Sequence, residues 1–212
     1  MTQAVSSPQP AEMAQLSVKD FAAVTAAKTP IPGGGSVAGV VGALAAALGE
    51  MSIAFTTGKK KFAAHEALYA QALPRLARAR GMFLDLMFDD ATAYTFFQEV
   101  SKMEGPEKEA KAQTALAAAI NVPREMTAVA ITVLEELAAL ADKCNPYLLT
   151  DLGAAAILSE AVVRLCDYNV RVNAATMADK ETADQLRQVA KRDCGRASEL
   201  CRIVDEAVGK QV

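Results

Sequence analysis

Tryptophan is absent from this 212-residue chain, aromatic residues make up only 5%, and there is a single histidine, His65. One histidine excludes a metal centre built from several imidazoles. It also leaves a Ser-His-Asp triad with one possible base, at a lysine-flanked helix start. The four cysteines, Cys144, Cys166, Cys194 and Cys201, contain no Cys-x-x-Cys pair, which argues against a zinc ribbon or a thioredoxin-like motif. They read as small buried hydrophobes of a reducing compartment. Neither GxGxxG nor the phosphate-loop motif occurs. A net charge of −3 gives no electrostatic footprint for nucleic acid. No alternating β-branched pattern and no fixed-period repeat is present.

What the chain has instead is alanine and leucine, which supply most of a 52% apolar content and favour helix. The spacing predicts helices over about 18–28, with Ser17 and Asp20 as a capping pair, and over about 36–56, with Ser36 as N-cap. A segment over 64–99 is expected to divide or kink at Pro74 and Gly81. Further helices are expected up to Ile120, from Pro123 to about Ala141, over 151–177 and over 180–208. The fold class is all-α: a single-domain bundle of six to eight helices, dimeric, over residues 16–212, with residues 1–15 as a mobile tail. That tail has no basic start and no apolar block, so it is not a signal peptide. With the free thiols it points to the cytoplasm.

The second helix is the most apolar segment of the chain. Glu50 interrupts it, and Gly35, Gly39, Gly42, Ala46 and Gly49 make it thin along one side. This composition predicts a central core helix, or one packed on another subunit, in place of a membrane span.

Four clusters could carry chemistry. Gly33, Gly34, Gly35 and Ser36 precede a helix N-terminus, whose N–H groups attract carboxylate, phosphate or carbonyl oxygen; a plain tight connection is the other reading. Lys59, Lys60 and Lys61 read as a solvated helix end or, with one lysine turned inward, a carboxylate clamp. Asp151 caps a helix or acts as a general base from a partly desolvated cleft. Asn169 and Asn173 share a face and serve either a core polar network or the edge of a bound heterocycle. Asp89 and Asp90 add a carboxylate pair on different faces.

In this order, "TPIPGGGSVAG", "TTGKKKF", "DDATAY", "NPYLLTDLG" and "NVRVN" resemble the cyclodeaminase/cyclohydrolase family over about residues 15–205. The resemblance implies an all-helical homodimer acting on a one-carbon tetrahydrofolate, with no metal and no cofactor beyond the folate. The leading activity it implies is methenyltetrahydrofolate cyclohydrolase, which interconverts the 5,10-methenyl and 10-formyl forms. Formiminotetrahydrofolate cyclodeaminase, releasing ammonia, is the alternative, and a non-catalytic binding module of the same fold is a third. Thr150 stands where the family often has Ser, Phe62 where Tyr is frequent, and Phe88 where an acidic residue is common before Asp90.

Carried over position by position, the resemblance makes Gly33, Gly34, Gly35 and Ser36 a ligand loop. Lys59 and Lys61 join them in binding substrate, Lys60 and Asp151 become catalytic, and Asn169 and Asn173 hold the pterin amide edge. Asp151 and Asn169 are 18 positions apart, about 27 Å along one straight helix. The expectation is therefore a pocket at or near a twofold interface.

Overall fold

A computed structural model describes residues 7–210. Among them are six α-helices: α1 (Val18–Thr25), α2 (Gly34–Ala54), α3 (Glu66–Ser101), α4 (Lys108–Leu140), α5 (Leu149–Ala175) and α6 (Lys180–Gly209). Short 3-10 turns cover Pro10–Gln15, Lys60–His65 and Pro146–Leu148. No strand is present among the described residues. The all-α expectation holds.

α2, α3, α4 and α5 form a ring in which each helix packs on the next and α5 closes on α2. Long-range pairs fix their directions. Asp90 near the far end of α3 meets Ser36 at the start of α2, and Arg75 early in α3 pairs with Glu136 late in α4. Asn173 late in α5 reaches Ala119 early in α4, and Asn145, just before α5, reaches Phe55 at the end of α2. Neighbours in the ring are thus antiparallel. α6 covers α5 and α4 from outside. The main core gathers Leu76, Phe83, Met126, Leu134, Leu137 and Leu152 with the small residues of α2.

The thin side of α2 is used within this one chain. A Cβ on Gly39 would come within 2.7 Å of Met87, one on Gly42 within 2.5 Å of the Phe83 ring, and one on Gly49 within 2.9 Å of Leu137. These glycines let α3 and α4 approach closely, so the thinness of α2 is not itself a sign of subunit contact. Glu50 is the charge that breaks the apolar run, and it is held by Arg80 at 2.6 Å. A second stretch, in α4, is also long and apolar enough to cross a membrane, which the sequence reading missed; half of the corresponding α2 window is buried inside the bundle.

Three boundary expectations need correction. α3 runs unbroken through Pro74 and Gly81, and α4 unbroken through Pro123. Pro74 is exposed, as is Ala70, whose carbonyl loses its N–H partner to the proline, so water is available to it. Gly33, not Ser36, occupies the N-cap of α2, and the Val37 N–H reaches the Gly33 carbonyl at 3.0 Å. The remaining breaks are true ones: Gly58 and Gly105 both take positive φ. The Ser17 cap is as expected, accepting from the Asp20 N–H.

Part of the expected tail, residues 1–6, lies outside the described residues. Residues 10–15 form a turn, and Met13 is buried against Ile31, Met87 and Ala91.

Candidate active site

At this end of the bundle Gly35 of α2 lies against the Asp90 side chain of α3. A Cβ there would fall 2.0 Å from Asp90 Oδ1, so the Asp90 carboxylate lies directly on the α2 backbone. The Ser36 hydroxyl donates to Asp90 Oδ2 at 3.0 Å. Burial pushes the Asp90 carboxyl above the usual carboxylate range, against the opposing pull of the Ser36 hydroxyl and backbone. Asp89 is exposed, so the two adjacent carboxylates do face different surroundings. In front of Gly33 and Gly34 the space is open: a Cβ on either would meet nothing within 4 Å. An acid able to titrate above its ordinary range thus sits on the first turn of α2, paired with Ser36, beside an open approach. This suits proton transfer to or from a bound molecule.

The far part of α5 belongs to the same end. Cys166 is fully buried, close enough to Asp90 to feel its charge, and interacts with the Thr127 side chain. Its thiol is pushed up to about 12 by burial and stays protonated. One turn on, Asn169 donates to the carbonyl of Leu165 in its own helix at 3.3 Å. Asn173 donates across to the Ala119 carbonyl of α4 at 2.8 Å. Its amide nitrogen is therefore already engaged with protein. That bond fits the core polar network, while the second amide N–H and Oδ1 leave the heterocycle-edge reading open as well.

The opposite end of the bundle holds Lys59, Lys60, Lys61 and Asp151. The lysines are exposed where α2 gives way to the 3-10 turn, with Lys61 Nζ 5.5 Å from the centre of the Phe62 ring. Asp151 is half-buried in the first turn of α5. Asn145, buried, ties these segments together. Its N–H donates to Thr56 Oγ1 at 2.9 Å, its amide to the Phe55 carbonyl, and its Oδ1 accepts from the Tyr147 N–H.

Within one chain the sequence-selected residues therefore fall into two sets. Gly33, Gly34, Gly35, Ser36, Asn169 and Asn173 mark a glycine pole, and Lys59, Lys60, Lys61 and Asp151 a lysine pole. The length of α2, 21 residues or about 30 Å, separates them. No single protomer brings the glycine loop to the lysines.

The family model described as formiminotransferase-cyclodeaminase matches residues 17–192. The chain belongs to this family. Methenyltetrahydrofolate cyclohydrolase of Methylorubrum extorquens is 30% identical over 201 residues, covering 92% of this chain and 97% of that protein. Formimidoyltransferase-cyclodeaminase of Dictyostelium discoideum is 26% identical over 200 residues; the match takes in 94% of this chain but 37% of that longer protein. Among solved structures, formiminotetrahydrofolate cyclodeaminase of Thermotoga maritima superposes with a TM-score of 0.87 at 29% identity, over 94% of this chain and 98% of that one.

For this formiminotransferase-cyclodeaminase family member, sequence reasoning passed over Asp90 as a site residue. The signal was available: Gly35 and Asp90 lie in two of the quoted motifs. Two adjacent aspartates on different faces do not say which of them is covered, however, and only the fold shows that the second lies against α2.

Proposed function

We propose that this chain catalyses the hydrolytic interconversion of 5,10-methenyl- and 10-formyltetrahydrofolate. The observation that carries this reading is the Asp90 carboxylate, seated on Gly35, held by Ser36 and raised by burial beside the open N-terminus of α2. Proton transfer moves from Asp151, the choice from sequence, to Asp90.

In the hydrolytic direction, Asp90 takes a proton from the water that attacks the methenyl carbon. A tetrahedral carbon results, bonded to N5, N10 and hydroxyl. The bond to N5 then breaks, Asp90 gives its proton to N5, and the hydroxyl proton leaves to solvent as the formyl carbonyl forms on N10. The amidinium carbon of the substrate is electrophilic by itself, so the reading calls for no metal and no further cofactor. The free N–H groups of Gly34 and Gly35 suit a carbonyl or carboxylate oxygen of the folate.

The lysine pole enters through a second copy. An exposed or half-exposed apolar stripe, Val37, Leu44, Ala47 and Met51, follows the side of α2 away from its glycines. Its middle, Leu44, is 56% exposed and is also the midpoint of the helix. A twofold at Leu44 would pair two α2 helices head to tail. Each glycine pole would then face the other copy's Lys59, Lys60, Lys61 and Asp151. There the lysines suit the glutamate carboxylates of folate.

The formimino reaction is the second reading, supported by a likeness of nearly equal identity to the Thermotoga maritima cyclodeaminase. A side-by-side assay separates the two. Each compound is offered alone, and loss of the methenyl absorbance and release of ammonia are followed. Turnover of the methenyl compound without need for the formimino one supports the first reading; ammonia from the formimino compound alone overturns it.

A further inference from the structure

α3 turns one side toward α2 along their shared length. Leu76 lies against Gly49, Phe83 against Gly42, Met87 against Gly39 and Asp90 against Gly35. These α3 positions recur at helical spacing and form one stripe. Tyr94 and Phe97, four and seven positions after Asp90, continue it. But α2 begins at Gly34, while α3 runs on to Ser101, about 16 Å past Asp90. The stripe therefore outlasts the helix it faces. Phe83 and Met87 are fully buried, whereas Tyr94 and Phe97 keep 45% and 46% of their surface exposed. The cluster of Met13 and Ile31 covers the neighbouring face of α3, at Met87 and Ala91. The Tyr94 hydroxyl accepts from Gln98 Nε2 at 3.2 Å, which steadies the ring along α3.

We propose that Tyr94 binds the substrate by stacking on the planar pyrimidine ring of its pterin above Gly33 and Gly34, with Phe97 extending the apolar wall. This rests on the folate reading above. An aromatic face and an acid one helical turn apart can hold the planar part of a heterocycle while a proton is exchanged at its neighbouring nitrogen, and Asp90 and Tyr94 have that spacing. The open ground before Gly33 and Gly34 supplies the volume. Nothing in the proton transfer uses the phenol, so the ring carries the effect and the hydroxyl only holds it in place.

The test uses the full chain and its Tyr94→Phe and Tyr94→Ala variants. Binding of tetrahydrofolate and of p-aminobenzoylglutamate, which lacks the pterin, is measured by calorimetry. KM and kcat are measured with methenyltetrahydrofolate. Stacking predicts that Tyr94→Ala weakens tetrahydrofolate and raises KM about tenfold, while kcat stays within about twofold. Tyr94→Phe should remain within about twofold of the parent throughout, and p-aminobenzoylglutamate should not distinguish the three proteins. An active parent with an unaffected Tyr94→Ala variant overturns the stacking role alone. So does equal weakening of both ligands, or dissociation of the variant into smaller species, which would make Tyr94 a subunit contact. A parent that neither binds tetrahydrofolate nor turns over the methenyl compound overturns the folate reading, and the stacking role with it.

Discussion

Asn173 on α5 completes a hydrogen-bond ladder that Pro123 interrupts on α4. Residue 123 of an unbroken helix would donate to the Ala119 carbonyl; proline has no N–H, and Asn173 Nδ2 donates there instead, at 2.8 Å. Pro123 is buried and Ala119 half-buried, whereas Pro74 and Ala70 are both exposed, so water has less access here. The substitution of a side-chain amide for a backbone N–H lets α4 pass straight through a proline, and it locks α4 to α5 two turns from Cys166.

The Asn173→Ala variant should lose about 0.5–1.5 kcal/mol of stability in urea unfolding, the scale for one intramolecular hydrogen bond to a half-buried carbonyl. In a Pro123→Ala background the restored N–H serves Ala119, and the same Asn173→Ala change should cost much less. A double-mutant cycle reads the difference as coupling. Equal losses in both backgrounds would mean that Asn173 acts elsewhere, for instance on ligand.

Asp90→Asn separates catalysis from stability. The folded protein holds a proton on Asp90 more tightly than the unfolded chain does, because burial raises this carboxyl. The stability this group contributes is therefore complete below the ordinary aspartate range and is lost as pH rises through its elevated value. Above that value the ionised carboxylate is a cost to the fold. Asn carries no charge to desolvate and keeps an oxygen for the Ser36 hydroxyl. The variant should unfold at the same or higher temperature than the parent at pH 7 while losing turnover by at least about a hundredfold. The parent's rate should fall on acidification at a pH above the ordinary aspartate range. Full activity in Asp90→Asn, with loss in Asp151→Asn, would return the proton-transfer role to Asp151.

The helices and the close-packed side of α2 were legible because they depend on local periodicity. Gly39, Gly42 and Gly49 sit where their spacing put them, toward a neighbouring helix. Pro74 and Pro123 were misread as breaks because whether a proline ends a helix depends on what meets the freed carbonyl. For Pro123 that answer is Asn173, far along the chain. Ser36 was misread as a cap for a related reason: its hydroxyl has a partner on α3, 54 positions away. The glycine loop, lysines, Asp151 and asparagines were all selected from sequence, and the 18 positions between Asp151 and Asn169 already set those two far apart on one helix; which end the glycine loop and the lysines each join was not legible. That division follows from the antiparallel order of α2 and α5, which no single motif encodes.

Two neighbouring glycines of the loop, Gly34 and Gly35, should respond differently. Gly35→Ala puts a methyl group into the Asp90 carboxylate, with no room on the α2 backbone side. It should lower both the unfolding temperature and turnover. Gly34→Ala adds a methyl group in open space. It should leave the unfolding temperature within about 2 °C of the parent's but raise KM, because the open space is where the substrate approaches. Thermal unfolding and steady-state kinetics on the two variants give the comparison. An unchanged KM in Gly34→Ala would make the loop a simple connection.

Leu44→Glu tests the second copy. Leu44 is more than half exposed in the single chain, so a glutamate there adds little strain to an isolated protomer. In a head-to-tail pairing of α2 helices the two glutamates would meet near the twofold, desolvated and of like charge. Sedimentation should show the parent as a dimer and the variant as a monomer at micromolar concentration, with helix content retained by circular dichroism. Turnover should fall with the dimer, because each glycine pole loses the lysines of the other copy. Mixing Leu44→Glu with an otherwise intact Asp90→Asn chain should restore little activity, since the glutamate still faces an apolar stripe. A fully active monomer would show that Asp90 and the glycine loop work without the lysine pole, and would remove Lys59, Lys60, Lys61 and Asp151 from the site.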